Sequence, residues 1–189
     1  MKICINAGHC PNVDSGAVGF GLTEADKTLK IGKRVEGYLA AAGCEVKFVQ
    51  VDGLKNICDI ANDWDADYFV SIHCNSYDTI ANGTETYCYS FGTTAHNLAK
   101  AVHARMTKAF PQLIDRGVKT ASFSVLRGTV MPAILVETAF IDNAHDNKIL
   151  VEREDDFARA IAVGVTDFLQ SLNPAPSVGD KCPTCGREL

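Results

Sequence analysis

Apolar residues recur along the chain at two different periods, and their alternation lays out the elements. Lys2-Ile3-Cys4-Ile5-Asn6 carries a short continuous apolar run, the mark of a buried strand over 2–6. After a loop containing Gly8, Gly16, Gly19 and Gly21, the residues Ala25, Leu29, Gly32, Val35 and Leu39 repeat at helical spacing and predict a helix from about Glu24 to Ala42. Thr23 stands at its cap position with Asp26 three residues on, and Gly43 stands at its end. Cys44–Val49 alternates as a strand does, and a shorter helix over about 53–64 places Leu54, Ile57, Ala61 and Trp64 on one face. Further strands are predicted over 67–73, 84–90, 123–127 and 133–137, with a polar loop from Pro111 to about Ser122. Helices are predicted over 94–110, 144–152 and 155–172.

Strands alternating with helices require long return connections, and such connections join parallel neighbours. The expected architecture is a single α/β domain over residues 1–172, with a mixed, mostly parallel sheet and helices on both faces. From Asn173 the composition shifts to Pro, Ser, Gly and charge, so residues 173–189 read as a flexible C-terminal tail. No internal repeat is present.

Composition narrows the function classes. With 189 residues, 47% of them apolar, the chain can bury a full core. A net charge of −5 argues against nucleic acid as a partner, because phosphate binding needs clustered Lys and Arg. No apolar run approaches the ~20 residues that cross a bilayer, so no membrane insertion is expected. Met1 leads straight into the first strand without a basic and then apolar leader, which predicts cytoplasmic synthesis without a signal peptide. Of the eight cysteines, Cys4, Cys44, Cys58 and Cys88 lie in or beside apolar segments, where a free thiol acts as a small hydrophobe.

The chemistry concentrates at strand ends. His9 follows the first strand, His73 and Glu137 end the strands 67–73 and 133–137, and Glu24 opens the first long helix. In an open α/β sheet the carboxyl ends of parallel strands form one edge, where ligands bind. Each residue alone has a plainer explanation: a surface histidine, or a carboxylate favoured at a helix N-terminus. Glu137 resists that treatment, since a carboxylate after Ala-Ile-Leu-Val is costly unless paired or beside a metal. Zinc hydrolases keep three protein ligands and leave one position for water. His9, Glu24 and His73 supply such a set for one zinc ion, and Glu137 supplies a carboxylate to move the water's proton. The Gly-rich loop at 15–21 matches neither G-x-G-x-x-G nor a phosphate-binding loop ending in Gly-Lys-Ser/Thr.

Five segments, in order, carry a resemblance: Ile5-Asn6-Ala7-Gly8-His9, Leu22-Thr23-Glu24-Ala25-Asp26, Ser71-Ile72-His73-Cys74-Asn75-Ser76, Asp115-Arg116-Gly117-Val118-Lys119 and Val136-Glu137-Thr138-Ala139-Phe140-Ile141. They resemble the zinc-dependent N-acetylmuramoyl-L-alanine amidases of the third amidase family over about residues 2–170. The resemblance implies a mixed sheet flanked by helices, zinc ligands at His9, Glu24 and His73, and a catalytic glutamate at Glu137. It implies cleavage of the bond between the lactyl group of N-acetylmuramic acid and the L-alanine of the stem peptide, with peptidoglycan as partner. Asn6 stands where that family has an aspartate, so an acidic neighbour able to orient His9 is missing from that position. The loop 74–83 is short, which predicts an open cleft. Asn75, Lys119 and Arg127 are the expected substrate contacts, with Arg116 beside them.

Without a leader, such an enzyme is expected to act on the wall after release, as a cell-lytic endolysin does. A catalytically silent wall-binding or regulatory homologue and a zinc peptidase acting on another amide are the alternatives. Cys10 and Cys74 each follow a proposed ligand histidine, and both are expected to point away from the cleft; a thiolate ligand or a disulfide is the other reading. Cys182-Pro183-Thr184-Cys185 is half of a Cys₄ zinc site. Free thiols on a monomer are expected there, with a tail-mediated dimer as the alternative.

Overall fold

The N-terminal apolar run forms β1 (Lys2–Ala7), followed by a two-stranded hairpin, β2 (Val18–Gly19) and β3 (Leu22–Thr23), and by α1 (Glu24–Ala41). Then come β4 (Glu45–Val49), α2 (Leu54–Asp63), β5 (Tyr68–Asn75), β6 (Thr84–Cys88) and α3 (Thr94–Ala109). The remaining elements are β7 (Asp115–Thr120), α4 (Ser124–Gly128), β8 (Ala133–Phe140), α5 (Ala144–Glu152) and α6 (Glu154–Leu172). This is a computed structural model, and it describes residues 1–172. The proposed tail with Cys182 and Cys185 lies outside the described residues.

Six strands make one sheet in the order β4-β1-β5-β8-β6-β7. Pairing is parallel except between β8 and β6. The fold is therefore the expected α/β architecture, a mostly parallel mixed sheet with helices on both faces. Successive strand residues alternate between faces. Ile3 and Ile5, Val70 and Ile72, and Ile134 and Val136 join the core beneath α1, α3, α5 and α6. Cys4, Phe69, Ala133 and Leu135 face the opposite side and join the smaller core beneath α2 and α4. Burying each large apolar side chain contributes about 1.5–3 kcal/mol. No described helix is long and apolar enough to cross a membrane.

α1 is set by local chemistry. The Thr23 hydroxyl accepts the Asp26 amide at 3.3 Å, an N-cap bond, and donates to the Asp26 carboxylate at 2.8 Å. That cap fixes Glu24 as the first helical residue, where the helix dipole favours a negative charge.

Four elements differ from the expectation, and two of them, β2 and β3, form a small hairpin inside the expected Gly-rich loop. Residues 115–120, expected within a loop, form β7, and residues 123–127, expected as a strand, contain most of α4. β7 is an edge strand whose residues are all at least partly exposed, so no apolar run announces it. A five-residue segment such as Phe123-Ser-Val-Leu-Arg carries too few turns to separate period 2 from period 3.6, and packing on α2 decides it. His73 and Glu137 also lie inside their strands, which run on to Asn75 and Phe140.

Candidate metal centre and active site

The loop after β1 delivers His9. The Gly8 carbonyl accepts the Thr28 hydroxyl of α1 at 2.6 Å, and the Gly8 amide donates to Ile72 of β5 at 2.9 Å. His9 itself has φ 62°, a left-handed conformation that non-glycine residues adopt at a cost. β5 delivers His73, and α1 delivers Glu24 from the other side of the sheet edge.

The Glu24 carboxylate lies between the two imidazoles. Oε1 is 2.8 Å from His73 Nδ1, and Oε2 is 3.1 Å from His9 Nε2. Backbone amides of Cys74 and Ala17 donate to the same two oxygens at 3.0 and 2.9 Å. One ligand atom from each of His9, Glu24 and His73 falls within 4.8 Å of the others. Burial works to raise Glu24, but hydrogen bonds with His73 and His9 outweigh it and hold the carboxyl at about 2. The hydrogen bond to Glu24 pushes His9 up to about 9 against the opposing effect of burial.

Two glycines keep this space open. A Cβ at Gly8 would sit 2.4 Å from the His73 ring, and one at Gly16 would sit 2.5 Å from the His9 ring and 2.7 Å from Glu24 Oε2. Gly16 also has φ +64°. Two neutral-capable imidazoles and an ionised carboxylate, crowded where no side chain fits, form a donor set that suits a divalent zinc-like cation.

Asp14 supplies what Asn6 does not. Its Oδ2 lies 2.7 Å from His9 Nδ1, the nitrogen turned away from Glu24. A carboxylate in that position fixes ring orientation and makes the opposite nitrogen a better donor to a metal. Asn6 instead accepts the Ser71 hydroxyl at 2.7 Å and donates to Val49, binding β1 to both neighbours.

Glu137 sits directly across from His73 on one side and Glu85 on the other. Its Oε2 is buried and has no hydrogen-bond partner among the described residues. Burial, reinforced by the charges of Glu24 and Glu85 and opposed by His73, pushes it up to about 7. Glu85 is the reverse case. Burial would raise it, but Lys119, Arg116 and Tyr87 more than compensate and hold it below the ordinary carboxylate range. Two facing carboxylates thus have opposite proton affinities, which is how a site separates a proton carrier from a fixed charge.

A cavity of about 530 Å³ opens onto this edge. His9, His73 and Glu137 line one part of it, and Val51, Leu54, Ile57, Phe123, Val125 and Leu135 line another. The lining does not include Asn75, Lys119 or Arg127. The Asn75 amide and the Lys119 ammonium both donate to Glu85, and Arg127 is exposed in the last turn of α4. Cys10 reaches the cavity, whereas Cys74 turns to the opposite face, with its sulfur 3.4 Å from the Thr138 hydroxyl. Both thiols are free.

Asp14 and Glu85 escaped the sequence reading. A carboxylate five residues past a strand-end histidine in a Gly-rich loop was the available signal for Asp14. Glu85 is one of several polar residues in the strand that begins at Thr84, so no local pattern singles it out.

Comparison with known proteins agrees with this geometry. The profile of the family described as N-acetylmuramoyl-L-alanine amidase matches residues 3–167. The chain is similar to the N-acetylmuramoyl-L-alanine amidase LytC of Bacillus subtilis (strain 168), 38% identical over 175 residues, covering 88% of this chain but only 35% of that protein. It is similar to an endolysin of Bacillus phage SPP1, 33% identical over 205 residues, covering 98% of this chain and 73% of the endolysin. Among solved structures, the N-acetylmuramoyl-L-alanine amidase AmiC2 of Nostoc punctiforme superposes with a TM-score of 0.85 at 36% identity, covering 90% of this chain and 97% of that one.

Proposed function

The chain belongs to the N-acetylmuramoyl-L-alanine amidase family, and from that premise we propose that it is a zinc-dependent peptidoglycan hydrolase acting through His9, Glu24, His73 and Glu137. The observation that carries the reading is the convergence of three ligand atoms within 4.8 Å beside a buried, unpartnered carboxylate.

His9, Glu24 and His73 would hold the ion, and Asp14 would orient His9. Zinc bound there polarises an amide carbonyl and makes water acidic enough to attack near neutral pH. Glu137 takes the proton of the attacking water as its oxygen bonds to the lactyl carbonyl carbon. It then gives that proton to the nitrogen of L-alanine as the C–N bond breaks. The products are a lactyl carboxylate and a stem peptide with a free amino terminus. A residue that must both accept and return a proton near neutral pH benefits from burial, which raises its proton affinity above that of an ordinary carboxylate.

Residues 1–172 form the proposed catalytic unit, with Asn75 and Arg127 as outlying substrate contacts. The presence of all four residues favours catalysis over a silent wall-binding role. For the biological setting we favour a cell-lytic, endolysin-like role, with the enzyme made in the cytoplasm and acting on the wall after release. Its likeness across most of the length of a phage endolysin supports this.

Purified zinc-loaded protein should clear peptidoglycan suspensions, and mass spectrometry of the digest should show new L-alanine amino termini without new reducing sugars. Reducing ends in place of amino termini would overturn the bond assignment. Cleavage of unrelated zinc-peptidase substrates at equal rates would favour the other amide reading.

A further inference from the structure

Beside Glu137, on the side away from the histidines, lies a second charged group of side chains that the hydrolytic step does not use. Glu85 is 2% exposed and accepts four donors. Asn75 Nδ2 and the Tyr87 hydroxyl donate to Oε1 at 2.6 and 2.9 Å, and Arg116 Nε donates to Oε2 at 2.9 Å, with Lys119 Nζ on the same oxygen. A carboxylate offers about four lone-pair directions, so Glu85 is saturated. Its two cations are not. Arg116 spends only Nε on Glu85, which leaves its two terminal amino groups as a fork. Lys119 retains further ammonium protons, and the two side chains are 32% and 38% exposed. One buried anion between two half-exposed cations leaves one surplus positive charge at the surface.

The arrangement has further contacts. Arg116 is also held over the Phe140 ring, 4.9 Å from its centroid, and Tyr87 packs edge-on against Phe123 of the cavity wall at 5.1 Å. Glu85 faces the same side of the sheet as Glu137, because the two are directly paired across β6 and β8. Tyr87 and Lys119 are likewise opposite each other across β6 and β7.

We propose that Arg116 and Lys119, anchored by Glu85, form a subsite for a carboxylate of the stem peptide, two to three residues beyond the cleaved amide. The proposal rests on the amidase reading above and gives the substrate a direction across the site. Neighbouring strands lie about 4.8 Å apart, so β7 is roughly 10 Å beyond β8. An extended peptide advances at most about 3.3–3.6 Å per residue, which brings its second or third residue to the cations. The sugar then falls on the opposite, apolar part of the cavity, against Val51 and Leu54. A guanidinium fork and an ammonium favour a carboxylate over the neutral amide that replaces it in modified stem peptides.

The test uses two N-acetylmuramoyl tripeptides that differ only in whether the second residue carries a free carboxylate or a primary amide. The wild-type enzyme should favour the carboxylate by about tenfold in kcat/KM, mostly through KM. Lys119→Met leaves Arg116 on Glu85 and should erase most of that preference, whereas Lys119→Arg should retain it. Calorimetric binding of both compounds to Glu137→Gln, alone and with Lys119→Met, reads the subsite without turnover and should show the same order. Equal kcat/KM and equal binding for the two compounds would overturn the subsite, as would a Lys119→Met loss shared equally by both. Tighter binding of the carboxylate compound that Lys119→Met abolishes, with neither compound cleaved by the wild type, would keep the subsite and discard the hydrolase reading.

Discussion

The two faces of the sheet are built from the same strands and do different work. Beneath α1, α3, α5 and α6 the strands present Ile3, Ile5, Val70, Ile72, Ile134 and Val136, and the long helices seal them. On the other face, α2 and α4 cover only the N-terminal parts of the strands, through Cys4, Phe69 and Leu135. Past the end of that cover the same alternating positions become Asn6, Ser71, His73, Glu137 and Glu85. A long helix there would bury charges without partners; a short one leaves an open edge where those charges meet water, a cation and a substrate. Coverage therefore divides this sheet into a stability face and a chemistry face.

The sharpest division would come from Phe157, which stacks on Phe110 with ring centroids 3.9 Å apart in the sealed core. Phe157→Ala should cost about 3–5 kcal/mol in urea unfolding while the folded fraction keeps its zinc affinity. Loss of zinc affinity in the folded fraction would show that the faces are coupled.

Glu137→Gln should do the opposite. Turnover should fall at least ~100-fold, about 2.7 kcal/mol in barrier, with zinc retained. Burial raises the Glu137 carboxyl to about 7, so between its ordinary value and about 7 the folded protein binds more protons than the unfolded one. The contribution to stability is therefore present at low pH and is lost as pH rises through about 7. Metal-free Glu137→Gln should lack that loss, and at pH 8 it should melt above the wild type. A lower melting temperature at pH 8 would contradict the buried-charge account.

Asp14→Asn tests whether the loop carboxylate serves the metal or the fold. Zinc affinity, measured by chelator competition, should drop about 10–100-fold with unfolding unchanged, since Asp14 is exposed. The mildest change, Thr23→Ala, removes the α1 cap and should cost about 1 kcal/mol in thermal or urea unfolding. No measurable loss would mean that packing of α1 on α6, rather than its cap, fixes the position of Glu24.

The elements that the sequence displays most clearly belong to the sealed face. β1, β5 and β8 are near-continuous apolar runs because parallel strands in the middle of a sheet are buried on both sides, and α1 and α6 repeat at the helical period because each buries only one face. β7 lacks an apolar signature because it pairs on one edge only and carries Asp115, Arg116 and Lys119. Glu85 is obscure in sequence for the same cause, since the cations that make its burial tolerable arrive on β7. In the same way, Asp14 gains its meaning only when a left-handed His9 turns Nδ1 toward the loop.

Local pattern accounts for the α/β class, for most strands and helices though not for β2, β3, β7 or α4, and for the residue types able to hold a cation and carry a proton. Those follow from local periodicity and from side-chain chemistry, which any stretch of chain carries with it. Which charges became partners was settled by the packed fold: Glu24 with both histidines, Asp14 with His9, and Glu85 rather than Glu137 with Arg116 and Lys119. Charge pairing depends on strand register and on approaches of a few ångströms between segments far apart in sequence, and neither is written in any local pattern.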